Sequence, residues 1–347
     1  MIKEVTGNLL DAKVEALVNT VNTVGVMGRG IALQFKQAFP DNFKAYEAAC
    51  KHGEVKPGRM FVFRRDTLRT FKNPRFIINF PTKRHWRGKS RMDDIEAGLR
   101  DLVRVVKEEG IRSIALPPLG CGSGKLAWKD VRERILTAFE ALPEVTAEVY
   151  PPSHAPAPEE MKIGTERPKM TPGRAALLVL MNRYALPGYR LTLLEIQKLA
   201  YLLQLAGEPL RLEFNKQKYG PYTETLNHVL QRMEGHFLSG YGDRSRQVSI
   251  VLAPEAVKEA EKYLENSQES QERFARVSRL IDGFETPYGM ELLASVHWVA
   301  TSDTLQKQID EDRAVELVHS WNEHKKKTFR PNHIKTALKR LRQEDWI

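Results

Sequence analysis

Two stretches of this chain repeat one local design, and together they limit the folds open to it. In the first, an apolar run ends in Val18-Asn19-Thr20-Val21-Asn22, a loop bearing Gly25, Gly28 and Gly30 follows, and a helical pattern opens at Ile31. In the second, Ser113-Ile114-Ala115-Leu116 runs into Pro117-Pro118-Leu119-Gly120-Cys121-Gly122-Ser123-Gly124-Lys125-Leu126, and a helical stripe begins at Trp128. The first turn of a helix carries N–H groups with no partner inside the helix, and glycine lets that backbone approach a ligand closely. One such junction is weak evidence. Two, at the ends of different strands, can hold the two phosphates of one pyrophosphate at the carboxyl edge of a sheet. Neither is a Walker A loop, since no Gly-Lys-Ser/Thr closes it, and the Rossmann spacing fails as well.

The surrounding pattern supplies the sheet. Ala16–Asn19, Met60–Phe63, Phe76–Phe80, Ser113–Leu116 and Ala147–Tyr150 read as strands, and Met1–Val5 as an opening strand. Helical stripes separate them: Ile95, Leu99, Leu102, Val103 and Val106 with Gly110 as C-terminal cap, then Trp128, Val131, Ile135 and Phe139, stopped before Pro143. Strands alternating with helices predict a three-layer α/β/α domain over residues 1–150. Residues 151–171 hold five prolines and little apolar content and read as a linker. Thr171-Pro172 supplies an N-cap and a first helical residue, and Thr192 with Glu195 makes a capping box for 193–205. With further helices expected at 222–234, 254–265, 270–283, 288–300, 312–324 and 333–343, residues 172–347 read as a mainly α-helical C-terminal domain.

Charge narrows the ligand. The net charge is +10, and residues 1–150 carry most of it, with 26 Lys and Arg against 18 Asp and Glu. That excess points to a polyanion bound by the first half. Two cysteines, Cys50 and Cys121, are too few for a disulfide framework or a thiolate zinc site, and the nine histidines show no ligand spacing. A metal is therefore not expected. The absence of a long apolar run or a leader pattern fits a cytoplasmic protein.

At Val18-Asn19-x-x-Asn22, Met27-Gly28-Arg29-Gly30-Ile31-Ala32 and Gly120-Cys121-Gly122-x-Gly124-x-Leu126 the chain resembles the macrodomain family. Within it, the Met-Gly-x-Gly-Ile-Ala form is similar to the branch of ADP-ribose glycohydrolases that contains the DarG-type antitoxins. The resemblance implies a mixed sheet, ADP-ribose as ligand and product, no further cofactor, and a substrate of ADP-ribosylated thymidine in single-stranded DNA. It also implies roles for particular residues. Asn8 and Leu9 would hold the adenine end, and Asn19 and Asn22 the ribose, with Asn22 near the scissile bond. Met27, Gly28, Arg29, Gly30 and Ile31, with Pro118, Gly120, Cys121, Gly122, Ser123, Gly124, Lys125 and Leu126, would cradle the diphosphate. Lys83 matches the branch's catalytic lysine. The chain departs from the pattern twice: Asn8 stands where many macrodomains have an aspartate, and Gly124 where the protein-directed relatives carry a catalytic one.

Lys83 opens a basic run, Lys83-Arg84-His85-Trp86-Arg87-Gly88-Lys89-Ser90-Arg91. Neighbouring cations are expected to lower its pKa, which suits a lysine that attacks a sugar carbon or one that stabilises a departing base. Arg84, His85, Trp86 and Arg87 suit single-stranded DNA, with cations on phosphates and rings on bases. Cys121 has no base paired with it by any sequence signal. In the second half, Ile196–Tyr201 and Lys218-Tyr219-Gly220-Pro221-Tyr222 resemble a helical antitoxin domain, which implies a DarT-like DNA ADP-ribosyltransferase toxin as partner. Asp303, Asp310, Glu311, Asp312 and Glu316 are the candidate acidic surface for that toxin. The alternatives are a non-catalytic ADP-ribose reader, a hydrolase acting on ADP-ribosylated protein, and a regulator that places the basic helix Ile334–Arg340 on DNA.

Overall fold

The computed structural model describes residues 1–65, 74–153, 156–185, 188–244, 247–302 and 309–347. Two compact units result: Met1–Glu166 with Gly242–Arg246, of which 242–244 are described, and Arg167–Tyr241 with Gln247–Ile347.

The first unit is built on β1 (Ile2–Glu4), β2 (Ala16–Asn22), β3 (Phe61–Arg64), β4 (Phe76–Lys83), β5 (Ser113–Leu116) and β6 (Thr146–Val149). They form one sheet in the order β1-β6-β5-β2-β4-β3, parallel throughout except that β3 runs antiparallel to β4 at the edge. The mixed three-layer fold expected from the sequence is thus present. Its central strands are apolar on both faces because helices cover both. Ala16, Leu17 and Val18 have no exposed surface, and the same holds for Ile77, Ile78 and Phe80. The covering helices are α1 (Gly30–Ala38), α2 (Pro40–Lys51), α3 (Met92–Glu108) and α4 (Trp128–Phe139). The stripe read on α3 packs inward at Ile95, Leu99, Leu102 and Val106, and that on α4 at Val131, Ile135 and Phe139. Gly98 lets α3 lie close on the sheet, since a Cβ there would stand 2.3 Å from the Phe80 ring.

Three features depart from the sequence reading. Helix α2 was not foreseen: Pro40 starts it, and only Asn42, Tyr46 and Ala49 are buried, so its apolar stripe is weak. Strand β4 continues past Phe80 and includes Lys83. The dividing point of the units falls at Glu166/Arg167, inside the stretch read as a linker, and part of that stretch is folded. Pro158–Glu160 is a short 3-10 helix, Met161 is buried, Lys162 pairs with Asp11 at 2.9 Å, and the Gly164 N–H donates to Gln37 O at 2.8 Å.

The second unit carries α5 (Pro172–Tyr184), α6 (Leu193–Leu205), α7 (Glu224–Met233), α8 (Pro254–Tyr263), α9 (Gln268–Ile281), α10 (Pro287–Ser302), α11 (Glu311–Trp321), α12 (Glu323–Thr328) and α13 (Pro331–Gln343). Thr171 caps α5 through the Arg174 N–H, and the Thr192/Glu195 capping box on α6 is formed in both directions. Short strands interrupt the helices, at 215–217, 220–222, 238–239 and 249–252. The Tyr219–Tyr222 motif is accordingly a strand, Gly220–Tyr222, and not only a turn before a helix. No helix among the described residues is long and apolar enough to cross a membrane.

Candidate active site

Strands β2 and β5 are neighbours, so the two glycine-bearing loops leave the same sheet edge side by side. The register of β2 on β4, shifted by one residue after Val21, sets Asn22 opposite Lys83 at that edge. From there the Lys83 side chain reaches the second loop, where Nζ donates to Ser123 O at 2.9 Å. Burial lowers its pKa below the usual lysine value. The cause differs from the expected one: neighbouring cations are not responsible. Arg84 turns to Asp94 on α3, with Nη2 to Oδ1 at 3.1 Å.

Both loops present runs of unpaired donors. Among the described residues, the N–H groups of Met27, Gly28 and Arg29 donate to no protein acceptor, and neither do those of Gly122, Ser123 and Gly124. Consecutive backbone N–H groups that no protein acceptor takes up can form an anion cradle. The remaining bonds hold the cradles open. In the first loop Asn22 is the organiser: Oδ1 accepts from Val24 N at 3.0 Å and Val26 N at 3.3 Å, and Nδ2 donates to Val26 O at 2.6 Å. Tyr46 of α2 then donates its hydroxyl to Asn22 O at 2.7 Å. In the second loop Gly120, at φ +72°, accepts from Leu126 N, while Lys125 N donates to Gly122 O and Cys121 N to Pro118 O.

Several expected ligand residues take other positions. Asn19 has no exposed surface; it donates to Asn79 Oδ1 at 3.1 Å, and Asn79 donates to Asn42 Oδ1 at 2.7 Å. That buried amide chain ties β2, β4 and α2 together, so the Asn19 side chain serves the packing of the strand and has no surface open to solvent. Met27 and Leu9 bury their side chains and offer only backbone to a ligand. The Gly30 N–H is already engaged, donating to Asp243 O at 2.8 Å. Asn8 Oδ1 accepts from Leu10 N at 3.1 Å, capping the turn Leu9–Asp11. Arg29 is the extended residue before α1, Ile31 lies in the first turn of α1, and Pro118 and Leu126 of the other loop are partly buried. Burial pushes the Cys121 thiol up to about 11, so it stays protonated and is no nucleophile near neutral pH.

The glycine at 124 has a steric reason. A Cβ there would stand 2.2 Å from both Gly120 O and Ser90 Oγ, and the Ser90 N–H holds Gly124 O at 3.1 Å. No aspartate fits this backbone. Ser90, Tyr46, Asn42 and Asn79 were given no role by the sequence reading; Ser90 and Asn79 lie in runs read for their charge and strand pattern, and the other two sit on the unforeseen α2.

Beyond Lys83, His85 and Trp86 stand 5.4 Å apart by ring centroid, and the Arg87 guanidinium lies 4.4 Å over the Trp86 ring. Trp86 is 46% exposed, so the three form an open stacking surface. In the second unit the acidic residues proposed for a toxin surface are largely paired. Lys335 meets Asp312 at 2.7 Å and Glu311 at 3.6 Å, Arg313 meets Glu316 at 2.8 Å, and Asp310 caps α11. Asp303 lies outside the described residues. No group of three metal-ligating side chains is present among the described residues.

The Macro domain family model matches residues 18–135, from within β2 into α4. A DNA ADP-ribosyl glycohydrolase from Thermus aquaticus is 49% identical over all of this chain and 96% of its own length. A DNA ADP-ribosyl transferase–DNA ADP-ribosyl glycohydrolase fusion protein from Thermosipho africanus is 35% identical over 45% of this chain and 43% of its own. Among solved structures, the macrodomain of Mycobacterium tuberculosis DarG matches 44% of this chain and 99% of its own at 56% identity, with a TM-score of 0.43. The 49% identity to the Thermus aquaticus protein along the whole chain makes this chain a member of the DNA ADP-ribosyl glycohydrolase family.

Proposed function

We propose that the first unit removes ADP-ribose from ADP-ribosylated thymidine in single-stranded DNA, and that the chain is the antitoxin of a DarT-like DNA ADP-ribosyltransferase. The observation that carries the first part is the placement of Lys83, whose ammonium lies at the second of two adjacent loops with unpaired N–H groups. The loops take the diphosphate, the adenine end lies toward Asn8, and the distal ribose lies toward Asn22 and Lys83. The reaction replaces the bond from ribose C1 to the thymine nitrogen by one to a water oxygen, and the proton released returns to the base. Positive charge develops on the sugar and negative charge on the base as that bond breaks. A lysine with a lowered pKa serves either by attacking C1 as the amine or by supporting the departing base as the ammonium. His85, Trp86 and Arg87 stack on or pair with the DNA strand.

The toxin assignment rests on the fusion of transferase and glycohydrolase in the Thermosipho relative. Lys83→Ala tests the chemistry. Release of ADP-ribose from modified single-stranded DNA should fall by about 100- to 10,000-fold, the usual contribution of a positioned acid or base. Binding of free ADP-ribose, followed by calorimetry, should persist. Undiminished turnover removes Lys83 from the reaction.

A further inference from the structure

Helix α1 begins without a cap of its own: Arg29 precedes it in extended backbone and its side chain makes no capping bond. The missing partner comes from more than 200 residues away in sequence. Asp243, 2% exposed, lies in the segment that belongs to the first unit. Its carbonyl accepts the Gly30 N–H at 2.8 Å, and its Oδ2 accepts from Gln34 Nε2 at 2.6 Å. Gly242 beside it packs on the stretch after the sheet, since a Cβ there would stand 3.0 Å from Pro158 Cγ. Burying a carboxylate is costly unless it is hydrogen-bonded, and the amino end of a helix is the place where its charge is best tolerated.

We infer that Asp243 is a positioning residue for the diphosphate cradle. Gripping α1 at Gly30 and one turn on at Gln34 fixes the pitch of the helix that the first loop enters. The unpaired N–H groups of Met27, Gly28 and Arg29 immediately precede that grip, so their direction depends on it. The ligand-binding unit therefore extends beyond residues 1–150. This inference rests on the loop's being the diphosphate cradle.

The test uses the full-length chain. Asp243→Ala should bind ADP-ribose about tenfold more weakly, as expected for loss of one hydrogen bond to a charged group. KM for ADP-ribosylated single-stranded DNA should rise in step, while kcat stays within about twofold, because Lys83 is untouched. Asp243→Asn keeps the backbone carbonyl for Gly30 and one side-chain oxygen for Gln34, and should recover affinity lost in Asp243→Ala. Gln34→Ala, which removes the carboxylate's partner without altering the segment, should reproduce the Asp243→Ala defect and decides the matter if Asp243→Ala does not fold. Affinity equal to or tighter than wild type in Gln34→Ala and Asp243→Ala overturns the inference. A wild-type chain with no affinity for ADP-ribose overturns the cradle itself.

Discussion

Among the described residues three lysines have pKa values lowered by burial, and they sit in different settings. Lys83 is half-buried at a sheet edge, donates to one loop carbonyl, and stands beside a row of unpaired N–H groups. Lys198 and Lys325 lie in the interior of the helical unit, 2% and 0% exposed. Lys325 Nζ donates to Glu291 Oε1 and Ser295 Oγ, both at 2.8 Å, and Lys198 Nζ donates to Pro221 O at 2.6 Å. A perturbed lysine is therefore not in itself a sign of chemistry. What separates the two regions is the company kept. At the edge, donors are left over for a ligand; in the interior each ammonium is bonded to the protein's own oxygens, and the Lys198 bond pins the Tyr219–Tyr222 motif to α6.

If that contrast is sound, removing an interior lysine should damage stability and spare the site. Lys325→Met removes the ammonium bonded to the Glu291 carboxylate, which is 5% exposed and has His324 Nε2 at 3.4 Å. Breaking a buried pair from one side costs about 3–5 kcal/mol, and urea unfolding of the helical unit should show a loss of that size. ADP-ribose affinity should stay at the wild-type value. A variant of normal stability that fails to hydrolyse would erase the distinction between the two regions.

The same contrast can be sharpened inside the first unit with its glycines. Gly120 has φ +72° and a Cβ there would stand 2.9 Å from Leu126 Cδ1, so Gly120→Val should lower stability by about 1–3 kcal/mol as well as ADP-ribose affinity. Gly28 needs no positive φ, and its Cβ direction meets only Val26 Cγ1 at 3.7 Å. Gly28→Val should melt with the wild type yet bind ADP-ribose more weakly, because the space it fills is the ligand's. Equal affinity in calorimetry would put the diphosphate elsewhere.

Much of this was legible in the sequence, and the limits have physical causes. Strand β2, the loops after β2 and β5, and the α3 and α4 stripes declare themselves through apolar runs, glycine and a 3.6-residue period. Lys83 and Asn22 could be chosen from their motifs, though the register that sets them opposite each other depends on a shift after Val21 that no local signal marks. Asn19 shows the reverse case. Its motif suggested a ligand, but side chains alternate along a strand, and its neighbour in register is Asn79, so it faces the buried amide chain. Asp243 was out of reach of any local reading, because it acts on a helix more than 200 residues earlier. The acidic residues of α11 pair with Lys335 and Arg313, a pairing no local signal marks, yet they keep most of their surface open, Asp312 at 90% and Glu316 at 68%.

A further expected effect separates the lysines by pH. Lys198 has its pKa brought from 10.5 down to about 7, first by burial and then by Lys325, with Glu291 opposing. The native side chain then gives up its proton near neutrality, whereas the unfolded chain holds it to about pH 10.5. Between these values the unfolded state binds more protons, so stability rises with pH, by up to about 1.4 kcal/mol per unit for one group. Below about pH 7 both states carry the proton and the dependence vanishes. Lys325, lowered for the same reason, adds to the slope in the same direction. Urea midpoints at pH 7, 8 and 9 should therefore climb for the wild type, and Lys198→Met should flatten the curve. Lys83, partly open to water, should instead leave its mark on the pH profile of turnover. A wild-type midpoint that does not move across this range would mean that the bond to Pro221 O keeps Lys198 charged, and that the interior tolerates an ammonium as readily as the sheet edge does.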